Sequence, residues 1–205
     1  MKQRITIADY RLLVLFAVTM LLTLPAFASP PVDLVSRLHM VLIESMKKAD
    51  TISQKERHQH LAPVLKQIFD FNIMVKTATG PAWYTAKKPS QIALQDAFAQ
   101  MSTATYVSRF KDYNDHKFEI KKVEDGPRNT FLVHAELASP SMNSVALTYV
   151  VIKRKKKLRI VDIILEHGIS ELAVKRSEYS TIASKGGATA LTKVLISKAN
   201  SLILP

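Results

Sequence analysis

Apolar residues recur at helical spacing through the first half of this chain and at alternate positions through its third quarter, so helices are expected before strands. Leu34, Leu38, Met40, Val41, Leu42 and Met46 predict a helix after the leader Ser29-Pro30-Pro31. Ser53 and Glu56 form the S-x-x-E pattern that opens a helix, and Leu61, Val64, Leu65, Ile68 and Phe69 continue its apolar face. Pro63 should kink or split that helix, because an interior proline lacks the N–H and clashes with the preceding turn. Phe69-Asp70-Phe71 leads into Ile73, Met74 and Val75, and Gly80-Pro81 ends the segment, with Trp83 in a turn or short helix beyond it. Pro89 and Ser90 open a long helix to about Tyr113, with Leu94, Ala97, Phe98, Met101, Thr105 and 107–110 as its stripe.

The texture changes at Lys117. Residues 118–123, 130–138, 145–153 and 158–165 read as four strands separated by Asp125-Gly126-Pro127, Ser139-Pro140 and a basic turn. Connections that short imply an antiparallel meander. Helical patterning returns with Ser170 as N-cap, breaks at Gly186-Gly187, and ends in a helix carrying Leu191, Val194, Leu195 and Leu202. Helices, sheet and helices in that order make the class α+β: a twisted four-stranded antiparallel meander with helices before and after it. One domain is expected over 29–205, mainly helical over 29–115, sheet over 116–166 and helical again over 167–205.

The last two strands can be read face by face. With Lys155-Lys156 as a two-residue turn, Tyr149 pairs with Asp162 and Val151 with Ile160. One face then carries Leu147, Tyr149, Val151, Ile160, Asp162 and Ile164; the other carries Thr148, Val150, Ile152, Arg159, Val161, Ile163 and Leu165. Neither is cleanly polar, so helices must cover both faces or one face must line an apolar cavity.

The first 28 residues bear on where the rest works. Lys2, Arg4 and Arg11 precede the apolar run Leu12 to Leu24, then Pro25 and Ala26-Phe27-Ala28. This is the layout of a cleavable secretory signal peptide, with processing expected after Ala28. Thirteen apolar residues rise only about 20 Å as a helix, short of a roughly 30 Å membrane core. Cleavage leaves 177 of 205 residues and lowers the net charge from +12 to +10, as Lys2, Arg4, Arg11 and Asp9 go. The chain has no cysteine, which excludes a disulfide scaffold and a thiolate nucleophile. Export makes nucleic acid an unexpected partner for the basic surface; an anionic membrane suits the compartment better, and a merely basic soluble protein is the plain alternative.

Catalytic chemistry is sparsely represented. The six histidines (His39, His58, His60, His116, His134 and His167) lack metal-ligand spacing; His58 and His60 lie about 200° apart on a helix. Glu166-His167-Gly168-Ile169-Ser170 is not G-x-S-x-G, and Ser170 reads as a helix cap. Asp162 on an apolar strand suggests a hydrogen bond from Tyr149 or a backbone amide. A cavity isomerase or hydratase using Asp162, Tyr149 and His134 as acid–base groups is the enzymatic alternative, and a non-catalytic envelope scaffold is a third class. Lys153, Arg154, Lys155, Lys156 and Lys157 form the densest charge, either a solvated hairpin tip or a docking patch.

Several stretches resemble one family. They are Phe69-Asp70-Phe71 with Met74, Gly80 with Trp83, a helix bearing Phe98, Tyr106, Phe110 and Tyr113, the strand Tyr149-Val150-Val151, then Asp162, Ile163, Gly168 and Ser170, and Arg176 with Tyr179. Together they are similar to the MlaC or toluene-tolerance family of periplasmic lipid-binding proteins. The segments 104–110 and 168–179 look closest to its hopanoid-associated HpnM branch. Leu158 departs from the pattern, since the broader family usually has tryptophan there. The resemblance implies a non-enzymatic periplasmic carrier without cofactor or metal, auxiliary to an ABC transporter and serving outer-membrane lipid asymmetry. It would pass phospholipid or hopanoid between a membrane-bound transporter complex and an outer-membrane lipoprotein complex, touching anionic membrane transiently. The implied fold encloses a hydrocarbon pocket. Phe69, Phe71, Met74, Trp83, Phe98, Met101, Phe110, Leu147, Tyr149, Val151, Ile160 and Ile164 are its expected lipid-binding residues. Arg176 and the basic hairpin 153–157 are the expected headgroup or docking residues.

Overall fold

The computed structural model describes residues 29–204; the signal peptide expected over 1–28 lies outside them. Helix α1 (Pro30–Lys47) starts on its prolines, whose fixed φ suits a first turn, and buries Val35, Leu38, Leu42 and Met46. Met40, expected on that face, is exposed because it lies beside the apolar stripe. Helix α2 (Gln54–Ile68) opens with the full capping box: Glu56 N donates to Ser53 Oγ at 3.2 Å and Ser53 N to Glu56 Oε2 at 2.8 Å. Contrary to expectation, Pro63 neither splits nor ends this helix. Pro63 and Gln59 are both exposed, so water can serve the Gln59 carbonyl that loses its partner, while Leu61, Leu65 and Ile68 hold the buried side.

Helix α3 (Phe71–Thr79) is capped by Asp70, whose Oδ1 accepts from Ile73 N at 3.0 Å. Gly80, at φ 57 and ψ −131, occupies backbone space that other residues avoid, and turns the chain into α4 (Pro81–Thr85) with Trp83 buried. Helix α5 (Lys88–Arg109) stops four residues before the expected Tyr113. Its end is fixed from outside: the buried Arg57 donates through Nη1 to the Phe110 carbonyl at 2.8 Å, where a cation favours a helix C-terminus.

Five strands follow where four were expected: β1 (Lys117–Gly126), β2 (Thr130–Ser139), β3 (Met142–Arg154), β4 (Lys157–Leu165) and the short β5 (Ile169–Ser170), antiparallel in that order. The turn at Lys155-Lys156 has φ of 48° and 64°, so it is a type I′ hairpin built without glycine. Val151 pairs with Ile160 as expected, but a bulge then offsets the strands: Val150 faces Asp162, and Tyr149 faces Ile163. One extra residue, Val161, flips everything after it. Ile163 and Leu165 therefore share the face of Tyr149 and Leu147, and Ile164 moves to the opposite one beside Thr148.

The inner face buries Val133, Ala135, Leu137, Leu147, Tyr149, Val151 and Ile160 against the helices. On the outer face Leu132, Thr148, Val150 and Ile152 are only half-buried. The last helix, α6 (Glu171–Ile203), packs along α5 and is interrupted at Gly187, at φ 68 and ψ −171. None of the described helices is long and apolar enough to cross a membrane.

Candidate functional site

The F-D-F segment shows how a short motif builds a site. Asp70 N donates to the Ile160 carbonyl at 2.9 Å, tying the α2–α3 corner to β4. With the backbone pinned and Asp70 turned to its cap, the flanking Phe69 and Phe71 are directed inward, their rings 5.6 Å apart. Phe69 meets Tyr106 on α5 at 5.7 Å, Tyr106 stacks on Phe110 at 6.0 Å, and Phe110 meets Phe118 of β1 at 6.1 Å. Phe118 stacks on His39 at 4.2 Å, and His39 tilts against Tyr149 at 5.3 Å. This run of rings joins three helices to the sheet. It borders a cavity of about 300 Å³.

Leu42, Phe69, Phe71, Met74 and Phe110 supply the helical wall, and Leu137, Val145, Leu147, Tyr149, Ile163 and Leu165 the sheet wall. Six of the twelve residues expected to contact lipid thus line it: Phe69, Phe71, Met74, Phe110, Leu147 and Tyr149. Trp83, Phe98, Val151 and Ile160 are buried in the core and Met101 packs on it, while Ile164 lies on the outer face because of the bulge. The wall residues Ile163 and Leu165 went unanticipated for the same reason. Tyr106, Arg109 and Lys175 also line the cavity; only Tyr106 carried a signal, as one of the spaced aromatics of α5.

Polar groups in the cavity wall are mostly committed. Tyr149 is hydrogen-bonded to His39 Nε2 at 3.0 Å, not to Asp162 as one reading expected. Burial lowers the His39 pKa to about 4 and raises that of Tyr149, so this pair is neutral at pH 7. Asp162 is a bracket for the start of α6. Its Oδ1 accepts from Ile163 N at 2.8 Å and Leu172 N at 3.0 Å, and its Oδ2 accepts from Ser170 Oγ at 2.6 Å. Ser170 Oγ in turn accepts from Ala173 N at 2.9 Å, the cap expected of it. His134, the third member of the acid–base alternative, is on the outer face, bonded to Glu124 at 2.8 Å and Thr148 at 3.0 Å. The geometry brings these three groups to separate tasks and assembles no proton relay. Among the described residues no three histidines or carboxylates are grouped to hold a metal.

The expected charged contacts lie elsewhere. Arg176 is exposed, donating to the Thr77 carbonyl at 3.5 Å, and takes no part in the cavity wall. The hairpin 153–157 is also exposed; Arg154 reaches Asp70 at 3.4 Å.

The family described as MlaC protein matches residues 37–197. The chain belongs to the MlaC family. That match runs from within α1 to within α6 and includes the whole cavity wall, Leu42 to Lys175. No curated protein matches the chain by sequence. Among solved structures it is similar to a phospholipid-binding protein from Ralstonia solanacearum, in complex with a phospholipid. The two are 20% identical, with a TM-score of 0.70 over 85% of this chain and 99% of the other. At that identity the likeness concerns the fold: this MlaC-family chain and the Ralstonia protein share one architecture.

Proposed function

We propose that this chain is a periplasmic lipid carrier that shields acyl hydrocarbon in the cavity between the sheet and α5–α6. The observation that supports it best is an apolar cavity of about 300 Å³ walled by phenylalanine, leucine and isoleucine from both layers, with Asp162 and Tyr149 in its wall already bonded. Pockets of this kind take small ligands, and an apolar wall selects apolar ones. The Ralstonia protein of the same fold, in complex with a phospholipid, supports the same cargo class. Two acyl chains of about thirty methylenes cost roughly 20 kcal/mol or more to expose to water, at about 0.8 kcal/mol each. Unassisted transfer between membranes is then negligibly slow, and a pocket that recovers most of that cost needs no nucleotide or metal.

In this reading the partners are a membrane-bound ABC-transporter complex and an outer-membrane lipoprotein complex, with phospholipid or hopanoid as cargo. The finer kinship with the hopanoid-associated HpnM branch rests on segments 104–110 and 168–179. The exposed hairpin 153–157 is a docking patch for anionic membrane. Replacing Lys155, Lys156 and Lys157 by glutamine should slow transfer between vesicles at low salt and leave bound lipid unchanged. Near an anionic surface each lysine contributes about 1 kcal/mol.

The decisive experiment is native mass spectrometry of the exported protein purified without detergent, followed by solvent extraction. Near-stoichiometric lipid is expected. Repeated recovery of empty protein that takes up nothing from liposomes would refute the carrier.

A further inference from the structure

One end of the cavity differs from the rest. Arg109 at the end of α5, and Glu171 and Lys175 one turn apart at the start of α6, line it together with Tyr106. Arg109 is more than half exposed, so this end reaches the surface. Charges here fall into two sets. Glu171 is held by Arg109 at 3.0 Å, and Asp162 by Ser170 and two backbone amides. Lys175 forms no ion pair within 4.0 Å among the described residues, Glu171 and Glu178 attracting it only from farther off, and the Tyr106 hydroxyl has no hydrogen-bond partner among them. Both side chains are well packed by protein: desolvation lowers the Lys175 pKa and raises that of Tyr106. What accessibility they retain includes the cavity they line.

A partly desolvated ammonium and a half-buried phenol, neither with an acceptor from the protein, present donors to the cavity that an oxyanion would engage. A purely hydrocarbon cargo would create a deficit there, by displacing water from the ammonium and the hydroxyl and offering them nothing. A cargo with a phosphate at one end of its hydrocarbon satisfies both ends of the cavity. We infer that Lys175 and Tyr106 form a phosphate-recognition site at the open end of the cavity, which makes the protein selective for phosphate-bearing diacyl lipids over uncharged lipids of equal hydrocarbon content. Arg109, with guanidinium donors left over from Glu171, stands beside them. This inference rests on the carrier reading and adds the headgroup chemistry to it.

The test is reloading of delipidated full-length mature protein from vesicles. One set carries phosphatidylglycerol, a second the matching diacylglycerol in the same background, and a third phosphatidylglycerol with 10 mM inorganic phosphate as competitor. Wild-type protein should prefer phosphatidylglycerol by about tenfold, as a charge-assisted hydrogen bond implies. K175Q should reduce that ratio about tenfold, K175R should restore most of it, and Y106F should reduce it by about threefold. Free phosphate should leave the ratio unchanged; if it abolishes the preference, the site takes free phosphate and not lipid. Equal loading of both lipids by wild-type and K175Q protein overturns the inference while leaving the carrier intact. Failure to load either lipid overturns the carrier reading and this inference with it.

Discussion

Glutamate at position 163 would put a titratable group into the cavity wall, and the bulge at Val161 says that position 164 would not. In an empty cavity water reaches the new carboxyl, and its pKa stays near the ordinary value of about 4.3. Around a bound acyl chain the same carboxyl is desolvated and its pKa rises by about 3 units or more. The loaded form therefore holds the proton more tightly, and loading must strengthen as pH falls. At pH 7 the cost is limited by protonation to 1.36 kcal/mol per unit over about 2.7 units, or about 3.7 kcal/mol and roughly 500-fold in affinity. At pH 5 only about 1 kcal/mol remains, roughly sixfold. Ile163→Glu should therefore be purified nearly empty at pH 7 and take up lipid from vesicles at pH 5, with lipid counted by mass spectrometry. Ile164→Glu, on the half-open outer face beside Thr148, should load like the wild type at both values. If the 164 variant is the empty one, the register across β3–β4 has been misassigned. If neither variant changes loading, the lipid lies elsewhere.

Three further outcomes can be measured on the folded protein. His39 has a pKa of about 4 when buried against about 6.5 unfolded, so the unfolded chain binds more protons between those values. Stability should fall by roughly 3 kcal/mol from pH 7 to pH 4, and His39→Gln should remove that part of the slope in urea titrations. The Lys155-Lys156 turn holds two non-glycine residues at positive φ. Lys155→Asn with Lys156→Gly should raise the unfolding free energy by about 1 kcal/mol or more, and an unchanged melting curve would argue against a type I′ turn. Phe98, about 1% exposed and outside the cavity wall, should cost about 3–5 kcal/mol on truncation to alanine without altering the lipid content of the molecules that remain folded.

Much of this architecture is legible in the residues because its signals are local. The capping box at Ser53 and Glu56, the Gly80-Pro81 stop, the Ser170 cap and the glycine break each declare themselves within four positions. The bulge does not. No glycine or proline marks Val161, and a β-branched residue in an apolar strand looks the same whether it pairs or is skipped. That one silent residue reassigns Ile163, Ile164 and Leu165. Pro63 failed as a breaker because its effect depends on whether the orphaned carbonyl reaches water, which is a tertiary fact. Lys175 and Arg176 are indistinguishable as text; 100° of helical rotation sends one to the cavity and the other to solvent. Most of the aromatic positions fared better, because large rings at helical spacing turn inward, although Tyr113, beyond the end of α5, is exposed. Which of them meet the cavity and which fill the core depends on where the layers part.

The break at Gly187 has a mechanical consequence. A helix resists bending because every turn is tied to the next, and α6 lacks that continuity midway. The stretch before the break carries Glu171, Leu172 and Lys175 on the cavity wall; the stretch after it is anchored through Leu191, Leu195 and Ala199. A Cβ at Gly187 would meet no atom within 4 Å, so it is the backbone conformation, and not lack of space, that calls for glycine there. The final helix is thus two rods meeting at one joint, each free to take the direction its own neighbours set: the first closes the cavity with Leu172 while Tyr179 and Ala183 pin it to the core, and the second is seated by Leu191, Leu195 and Ala199.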